Sequence, residues 1–265
     1  MSAKKIIFAG PSLDAINDTN LDDTLILPPC RQGDVYLATL EEPSVIGIID
    51  GFFEGMPSVW HKEILWAMSK GIVVAGAASM GALRACELDR YGMVGIGKIY
   101  EAYRDKEIED DDEVALLHGP AEMDFVPLSL AMVNVRSTVL SAKAENILDA
   151  DTAMQIITIA KNIFYKERDW QTISTTAQKD GVSASQLGEF VDWLKDHEVD
   201  QKMLDAQTLM EFIQTNEYTK CTKVEFEFEV TEFWYQTTNR WKDQTRIERS
   251  QNKDDHSSDG YRLFN

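Results

Sequence analysis

The chain has 265 residues, 44% of them hydrophobic, which is enough to bury the core of an α/β domain. Its 45 acidic residues outnumber its 26 lysines and arginines, and the resulting net charge of −19 argues against binding to nucleic acid or to anionic membrane surfaces. The sequence has no signal-peptide pattern and no apolar run of membrane-spanning length, and its three widely spaced cysteines favour reduced thiols in the cytoplasm over a disulfide framework or a cysteine metal site.

The first part of the chain alternates short apolar runs with helical segments. The apolar runs at 5–9, 45–49 and 72–75 predict buried strands, each closed by a turn that contains glycine or small residues. Residues 33–40, 58–70 and 80–88 have the pattern of helices, and Ser58 is the expected N-cap of the second one. Strands that are apolar throughout, alternating with helices, predict a parallel sheet flanked by helices in a Rossmann-like core.

The second part of the chain has a different pattern. Residues 92–97 look like a glycine-containing loop, an acidic run follows at 109–113, and 121–215 is mostly helical. Valine or phenylalanine alternates with glutamate over 222–235, which predicts an edge strand. We therefore predict an α/β core domain with a hydrolase-like site at 1–140, a helical region ending in a strand at 141–240, and a flexible tail at 241–265.

Three turns are expected to meet at the carboxyl edge of the sheet, where ligands bind in such folds: residues 10–12, 50–52 and 77–79. Ser79 lies where a strand turns into a helix, between small residues that let the backbone turn sharply. The N–H groups that open the following helix could stabilise an oxyanion near it. Ser79 is thus a candidate nucleophile, and the alternative is that it only caps the helix.

A serine nucleophile needs a base, and Lys62 is the candidate in the first turns of the helix expected after Ser58. If that helix returns to the edge that carries Ser79, a partly desolvated Lys62 would have a lowered pKa. The alternative is a solvated surface lysine. Asp50 ends a strand and could orient a catalytic group or merely cap a turn, and the acidic run with His118 is better explained as a solvated loop than as a metal site.

Several segments resemble, in order, the core of the TfuA family over roughly residues 4–140. They are Ile7-Phe-Ala-Gly-Pro-Ser12, Ile49-Asp-Gly-Phe-Phe-Glu54, Val59-Trp-His-Lys-Glu-Ile64, Gly76-Ala-Ala-Ser-Met-Gly-Ala-Leu-Arg-Ala85, Gly92-Met93 and Asp110-Asp-Asp-Glu-Val114 with His118. Residues 141–265 match the family less clearly.

The resemblance implies a function in sulfur chemistry. TfuA proteins accompany YcaO enzymes, which use ATP to activate a peptide amide oxygen that is then replaced by sulfur. The family is associated with hydrolysing the thiocarboxylate of a small ubiquitin-like carrier, ThiS, to release sulfide. The expected partners are therefore a YcaO protein, a ThiS-type carrier and a peptide substrate. No cofactor or metal is expected for this chain itself, since ATP and magnesium are used by YcaO.

The resemblance also implies site residues. The family's Ser–Lys pair falls on Ser79 and Lys62, with Lys98 as the competitor for the base. Ser79 would attack the thiocarboxylate while backbone N–H groups near Met80 and Gly51 hold the oxyanion.

Asp50 and Gly10 complete the expected site as supporting residues, because both follow strands whose ends meet at this edge.

Two other classes of function remain open from the sequence. Residues 77–81 also resemble the serine motif of Clp-type peptidases, although the flanking sequence does not. The chain could instead be a non-catalytic adaptor that docks carrier or peptide onto YcaO. A carrier-hydrolysis assay with a serine substitution separates adaptor from enzyme, and a general peptide-cleavage assay separates peptidase from sulfur-releasing enzyme.

Overall fold

A five-stranded parallel sheet organises the protein. The computed structural model describes residues 4–13 and 23–254, with side chains described as far as residue 244. The strands are β1 Lys5–Phe8, β2 Thr24–Leu27, β3 Val45–Ile48, β4 Val73–Ala77 and β5 Val94–Ile96. Their order is β2-β1-β3-β4-β5, and every pair is parallel. The predicted fold class, a parallel sheet flanked by helices with a mostly helical C-terminal part, is confirmed.

Ten α-helices surround and extend this sheet within the described part of the chain. They are α1 Asp34–Thr39, α2 His61–Ser69, α3 Met80–Leu88, α4 Lys98–Arg104, α5 Met132–Ala144, α6 Ala150–Asn162, α7 Trp170–Lys179, α8 Ala184–His197, α9 Gln201–Gln214 and α10 Glu232–Asp254. None of these described helices is both long and apolar enough to span a membrane.

The sheet is covered on both faces, which explains why its central strands are apolar throughout. Side chains of α1, α2 and α3 pack with Ile6, Ile46 and Val74 on one face. Helix α9 packs on the other face, where Leu209 and Ile213 form a core with neighbouring strand residues. Helices α5 to α8 form a separate apolar core. Although α9 lies far beyond residue 140 in sequence, it therefore completes the core of the sheet.

Two predicted local features of the first part differ from the structure. Val94–Ile96 is the edge strand β5, not part of a loop, and it pairs with β4. Ser58 does not cap α2, because the helix begins at His61 and the Ser58 hydroxyl donates to the Phe52 carbonyl instead. Both features depend on contacts with segments distant in sequence, so the local pattern does not determine them.

The strand predicted over 222–235 is not formed. Residues 221–231 have no regular secondary structure, and α10 begins at Glu232. The alternation has a different cause: Phe226 packs against Tyr91, and Phe228 packs against Trp66 and Trp234. Residues 221–231 therefore contact the protein through their side chains, and they pair with none of the described strands. Of the tail predicted at 241–265, residues 241–254 continue α10, and 255–265 lie outside the described residues.

Candidate active site

The turns after β1 and β3 are tied together by the Asp50 carboxylate. Asp50 Oδ2 accepts hydrogen bonds from the Gly10 and Ser12 backbone N–H groups at 2.8 and 3.0 Å, and Oδ1 accepts from the Ser12 hydroxyl at 2.6 Å. Asp50 and Ser12 are almost completely buried. The strand order reverses between β1 and β3, so this junction is the topological switch point at which doubly wound sheets bind ligands.

Ser79 lies at the end of β4 on a strained turn. Ala78 has a positive φ of 64°, and the Ser79 N–H donates to the Ala77 carbonyl at 2.8 Å, which closes a tight three-residue turn. Although Ser79 occupies the N-cap position of α3, its side chain makes no capping hydrogen bond. Its hydroxyl makes no hydrogen bond to any described residue. The geometry therefore disfavours a simple capping role and leaves the hydroxyl free to react.

A cavity of about 270 Å³ lies over this edge of the sheet. Asp50, Gly51, Ser79 and Lys202 contribute polar or backbone groups to its wall. The rest of the wall is mainly apolar and aromatic, and it comes from the segments after β1, β2 and β3, the segment around residue 116 and the turn before α7: Pro11, Pro29, Phe52, Phe53, Glu54, Gly55, Val114, Leu116, Leu117, His118, Tyr165 and Lys166. A few polar groups converging in an apolar pocket are typical of small-ligand and catalytic sites.

Lys202 is the buried lysine on the wall of this cavity, whereas Lys166, which also lines it, is exposed and pairs with Glu54. The Lys202 side chain is almost completely buried, and Nζ donates to the Val114 carbonyl at 2.9 Å. Burial lowers the pKa of Lys202, an effect that the nearby charges of Asp50 and Asp200 oppose. A buried lysine with a lowered pKa is the form of this side chain that can accept a proton.

The structure does not bring Lys62 to the cavity, contrary to the expected Ser79–Lys62 pair. Lys62 Nζ lies 3.5 Å from the Thr231 hydroxyl, 5.4 Å from the Phe228 ring centroid and 5.8 Å from that of Trp234. Its neighbour Glu63 faces the buried side of α2. Because successive helical residues are rotated by about 100°, Lys62 faces the aromatic side chains near α10 and not the sheet edge.

The other predicted site residues have distinct positions. Lys98 is exposed at the first position of α4 and does not line the cavity. Gly10 donates its N–H to Asp50, so it supports that carboxylate. Gly51 lies on the cavity wall, and a Cβ on it would be 2.8 Å from Met80 Cγ, so Gly51 packs directly against the Met80 side chain. Neither the Met80 nor the Gly51 N–H donates to a backbone carbonyl in the turns and loops of the described residues.

The acidic run at 110–113 forms ion pairs. Lys161 Nζ contacts Asp110 at 3.1 Å and Glu113 at 2.9 Å, and it also pairs with Asp112. Asp112 in turn pairs with the fully buried Arg168. These ion pairs connect the acidic run to the helical region, so its carboxylates stabilise the contact between the two and are not simply solvated.

The spacing of apolar residues around Lys202 contains a signal that it faces the core. Lys202, Ala206, Leu209 and Ile213 follow one another at intervals of four, three and four residues, which places them on one face of a helix. All four are buried. A lysine at a core-facing position of an amphipathic helix indicates either a partner or a function.

Comparison with known proteins gives one result for this chain. Residues 50–169 match the family described as TfuA-like protein. This match confirms the resemblance that the motifs indicated, and it includes Asp50, Ser79 and His118 but not Lys202. None of the curated proteins compared with the chain matches it.

Proposed function

From the match of residues 50–169 to the TfuA-like family, we propose that the chain works with a YcaO enzyme in thioamidation of a peptide backbone. Its part in that reaction is to release sulfide by hydrolysing the thiocarboxylate of a ThiS-type carrier. The observation that supports this activity most directly is the unbonded Ser79 hydroxyl on a strained turn, in one cavity with the buried Lys202 amine.

In the proposed first step, Ser79 Oγ attacks the thiocarboxylate carbon. The neutral Lys202 amine takes the hydroxyl proton and passes it to sulfur as the C–S bond breaks, so that the group leaving is hydrosulfide. A C–O bond joins the acyl group to Ser79. The N–H groups of Met80 and Gly51 stabilise the oxyanion of the tetrahedral intermediate. Water then hydrolyses the ester, giving a carboxylate and restoring the serine.

Lys202 replaces Lys62 as the base of the proposed Ser–Lys pair. Desolvation lowers the pKa of Lys202, which raises the fraction of neutral amine at neutral pH. Lys62 instead packs on the Phe228 and Trp234 rings and does not line the cavity. We assign no cofactor to the chain.

The first prediction is that Ser79→Ala abolishes sulfide release from a thiocarboxylated carrier. The expected fall is roughly 1,000-fold or more, because the variant lacks the nucleophile while keeping the backbone N–H groups. The measurement is sulfide production by the purified chain, with retention of YcaO binding checked by co-purification. Ser69→Ala, which removes an exposed hydroxyl at the end of α2, is the matched control and should be fully active.

Sulfide release by Ser79→Ala at the wild-type rate would contradict the nucleophile assignment. The adaptor function would then be favoured, and it predicts that the chain stimulates YcaO without turning over the carrier. A Clp-type peptidase would instead cleave unmodified peptides, which the same preparations can test.

A further inference from the structure

His118 lies on the wall of the Ser79 cavity and has no role in the first proposed step. Its side chain is half-buried, and it lines the same space as Ser79 and Lys202. Lys202 is almost completely buried, whereas His118 is half-buried and its neighbour Leu117 is exposed. The third nitrogen base on the wall, Lys166, pairs with Glu54, so His118 and Lys202 are the two whose nitrogen atoms are not held in an ion pair.

The hydrogen bonding of His118 fixes which nitrogen can accept a proton. Nδ1 lies 2.7 Å from the Gly119 carbonyl oxygen. A carbonyl oxygen only accepts hydrogen bonds, so Nδ1 carries the hydrogen and donates. In the neutral ring this leaves Nε2 with the free lone pair. Nε2 has no hydrogen-bond partner among the described residues.

Aromatic side chains hold the ring in position. The His118 ring centroid lies 6.1 Å from that of Phe52 and 5.7 Å from that of Phe125. Asp124 and Phe125 both have positive φ, 50° and 54°, although neither is glycine. The surrounding backbone bonds, such as Leu128 N–H to the Leu117 carbonyl at 2.7 Å, maintain this strained turn. Persistent strain of this kind occurs mainly where a functional group must be positioned.

We infer that His118 is the proton-transfer residue for hydrolysis of the acyl-Ser79 ester, an assignment that rests on the proposed function. Once the acyl group is on Ser79, the buried end of the cavity is filled, and water reaches the ester carbon from the side that borders solvent. His118 Nε2 takes a proton from that water as its oxygen bonds to the ester carbon. The imidazolium then returns the proton to Ser79 Oγ as the C–O bond breaks, which yields the carboxylic acid and the free serine.

The test uses the full chain, His118→Asn and a synthetic acetyl-glycylglycine thiocarboxylate. Asparagine keeps an N–H donor near the position of Nδ1 and removes Nε2, so the bond to the Gly119 carbonyl can persist. We expect a burst of about one sulfide per chain, and then steady-state release slower by on the order of 100-fold. Intact-protein mass should show the acyl group on the variant and not on the wild type.

His61→Asn is the matched control, because His61 is exposed and pairs with Glu87 at 2.7 Å outside the cavity. It should behave as the wild type. If His118→Asn does not fold by thermal melting, His118→Gln takes its place, since its amide reaches the Nε2 position without being basic. It should accumulate the same acyl-enzyme.

Wild-type turnover by the folded variant, with no acyl-enzyme, would overturn the assignment while leaving the proposed function intact. Loss of the burst itself would also overturn it, because His118 would then act before acylation. If the wild-type chain releases no sulfide from this probe or from a thiocarboxylated carrier, the proposed function fails and the role of His118 fails with it.

Discussion

At the scale of single residues, the environment of each side chain separates Lys202 from Lys62. Lys202 is almost completely buried beside a carbonyl, and desolvation lowers its pKa. Lys62 is only partly buried, and the faces of two aromatic rings lie within 6 Å of its charge. A base must be neutral to accept a proton, and desolvation favours the neutral form of Lys202, whereas Lys62 lies outside the cavity.

We therefore predict that Lys202→Met lowers sulfide release by on the order of 100- to 10,000-fold. Methionine keeps an unbranched stem and removes the amine. Wild-type activity should rise with pH as Lys202 loses its proton, with a midpoint below the ordinary lysine pKa because the folded-state pKa is lowered. The variant should lack this rise. The measurement is the pH dependence of kcat/KM.

Lys62→Met is the matched control and should keep both the rate and the pH profile. The double variant Ser79→Ala with Lys202→Met should be little worse than either single variant, because two residues of one catalytic unit give non-additive losses. Loss of activity in Lys62→Met but not in Lys202→Met would restore the pairing that the resemblance implied.

At the scale of secondary-structure elements, the approach of α3 to the sheet depends on Gly81. A Cβ built on Gly81 would lie 1.7 Å from the Ile48 carbonyl oxygen, and the Gly81 N–H donates to the Ile49 carbonyl at 3.2 Å. This contact sets the first turn of α3, and hence the Met80 N–H, next to the end of β3. No side chain at position 81 is compatible with that spacing.

Gly81→Ala should accordingly destabilise the protein by on the order of 3 kcal/mol, the upper part of the range for overpacking, because the clashing atoms are backbone. Gly188→Ala is the matched control: Gly188 is exposed in α8, and a Cβ there meets nothing within 4 Å. It should stabilise the protein by ~0.5–1 kcal/mol through helix propensity. Urea unfolding measures both changes. Equal changes in the free energy of unfolding for the two variants would show that the close approach of α3 to the sheet is not needed for stability.

At the scale of the whole molecule, Glu63 links α2, α1 and α10. Its fully buried carboxylate accepts from the N–H groups of Gly33 at 2.8 Å, Trp60 at 3.1 Å and Tyr36 at 3.2 Å. Gly33 in turn lies against the Trp241 ring of α10. Burial raises the pKa of Glu63 to about 7, although the three backbone hydrogen bonds oppose this rise.

This pKa predicts how global stability depends on pH. Between the ordinary glutamate pKa and about 7, the folded state binds a proton at Glu63 that the unfolded state has lost. The contribution of Glu63 is therefore fully present below the unfolded pKa and is lost as pH rises through about 7. The loss is roughly 3 kcal/mol by the usual conversion of a pKa shift.

Glu63→Gln does not titrate, so comparing it with the wild type isolates this effect. The free energy of unfolding of the wild type minus that of the variant should decrease as pH rises from 4.5 to 8. The measurement is urea unfolding at several pH values in one ionic strength. A difference that stays constant with pH would contradict the raised pKa of Glu63.

The sequence by itself determined the parallel sheet, most of its strands and the Ser79 turn. A strand that is buried on both faces is apolar at every position, and the turn that ends it requires glycine or small residues. Both signals lie at neighbouring positions in the sequence. The motifs also indicated a resemblance to the TfuA-like family, and residues 50–169 match the model of that family. The turn at Asp50 was predicted for the same reason, because a polar residue directly after a buried strand lies in the turn that ends the strand.

The lysines that line the cavity with Ser79, and the packing of the glutamate-rich segment, could be seen only in the folded chain. Lys202 lies 123 positions from Ser79 in sequence, and α9 brings it to the cavity by packing on the sheet. Lys62 is nearer in sequence, but the rotation of α2 directs it elsewhere. Likewise, the alternation at 222–235 did not indicate which residues its phenylalanines would meet, and they pack against side chains such as Tyr91 and Trp66 while Val224 and Val230 stay exposed. Local periodicity records burial, whereas the identity of the neighbour depends on long-range packing.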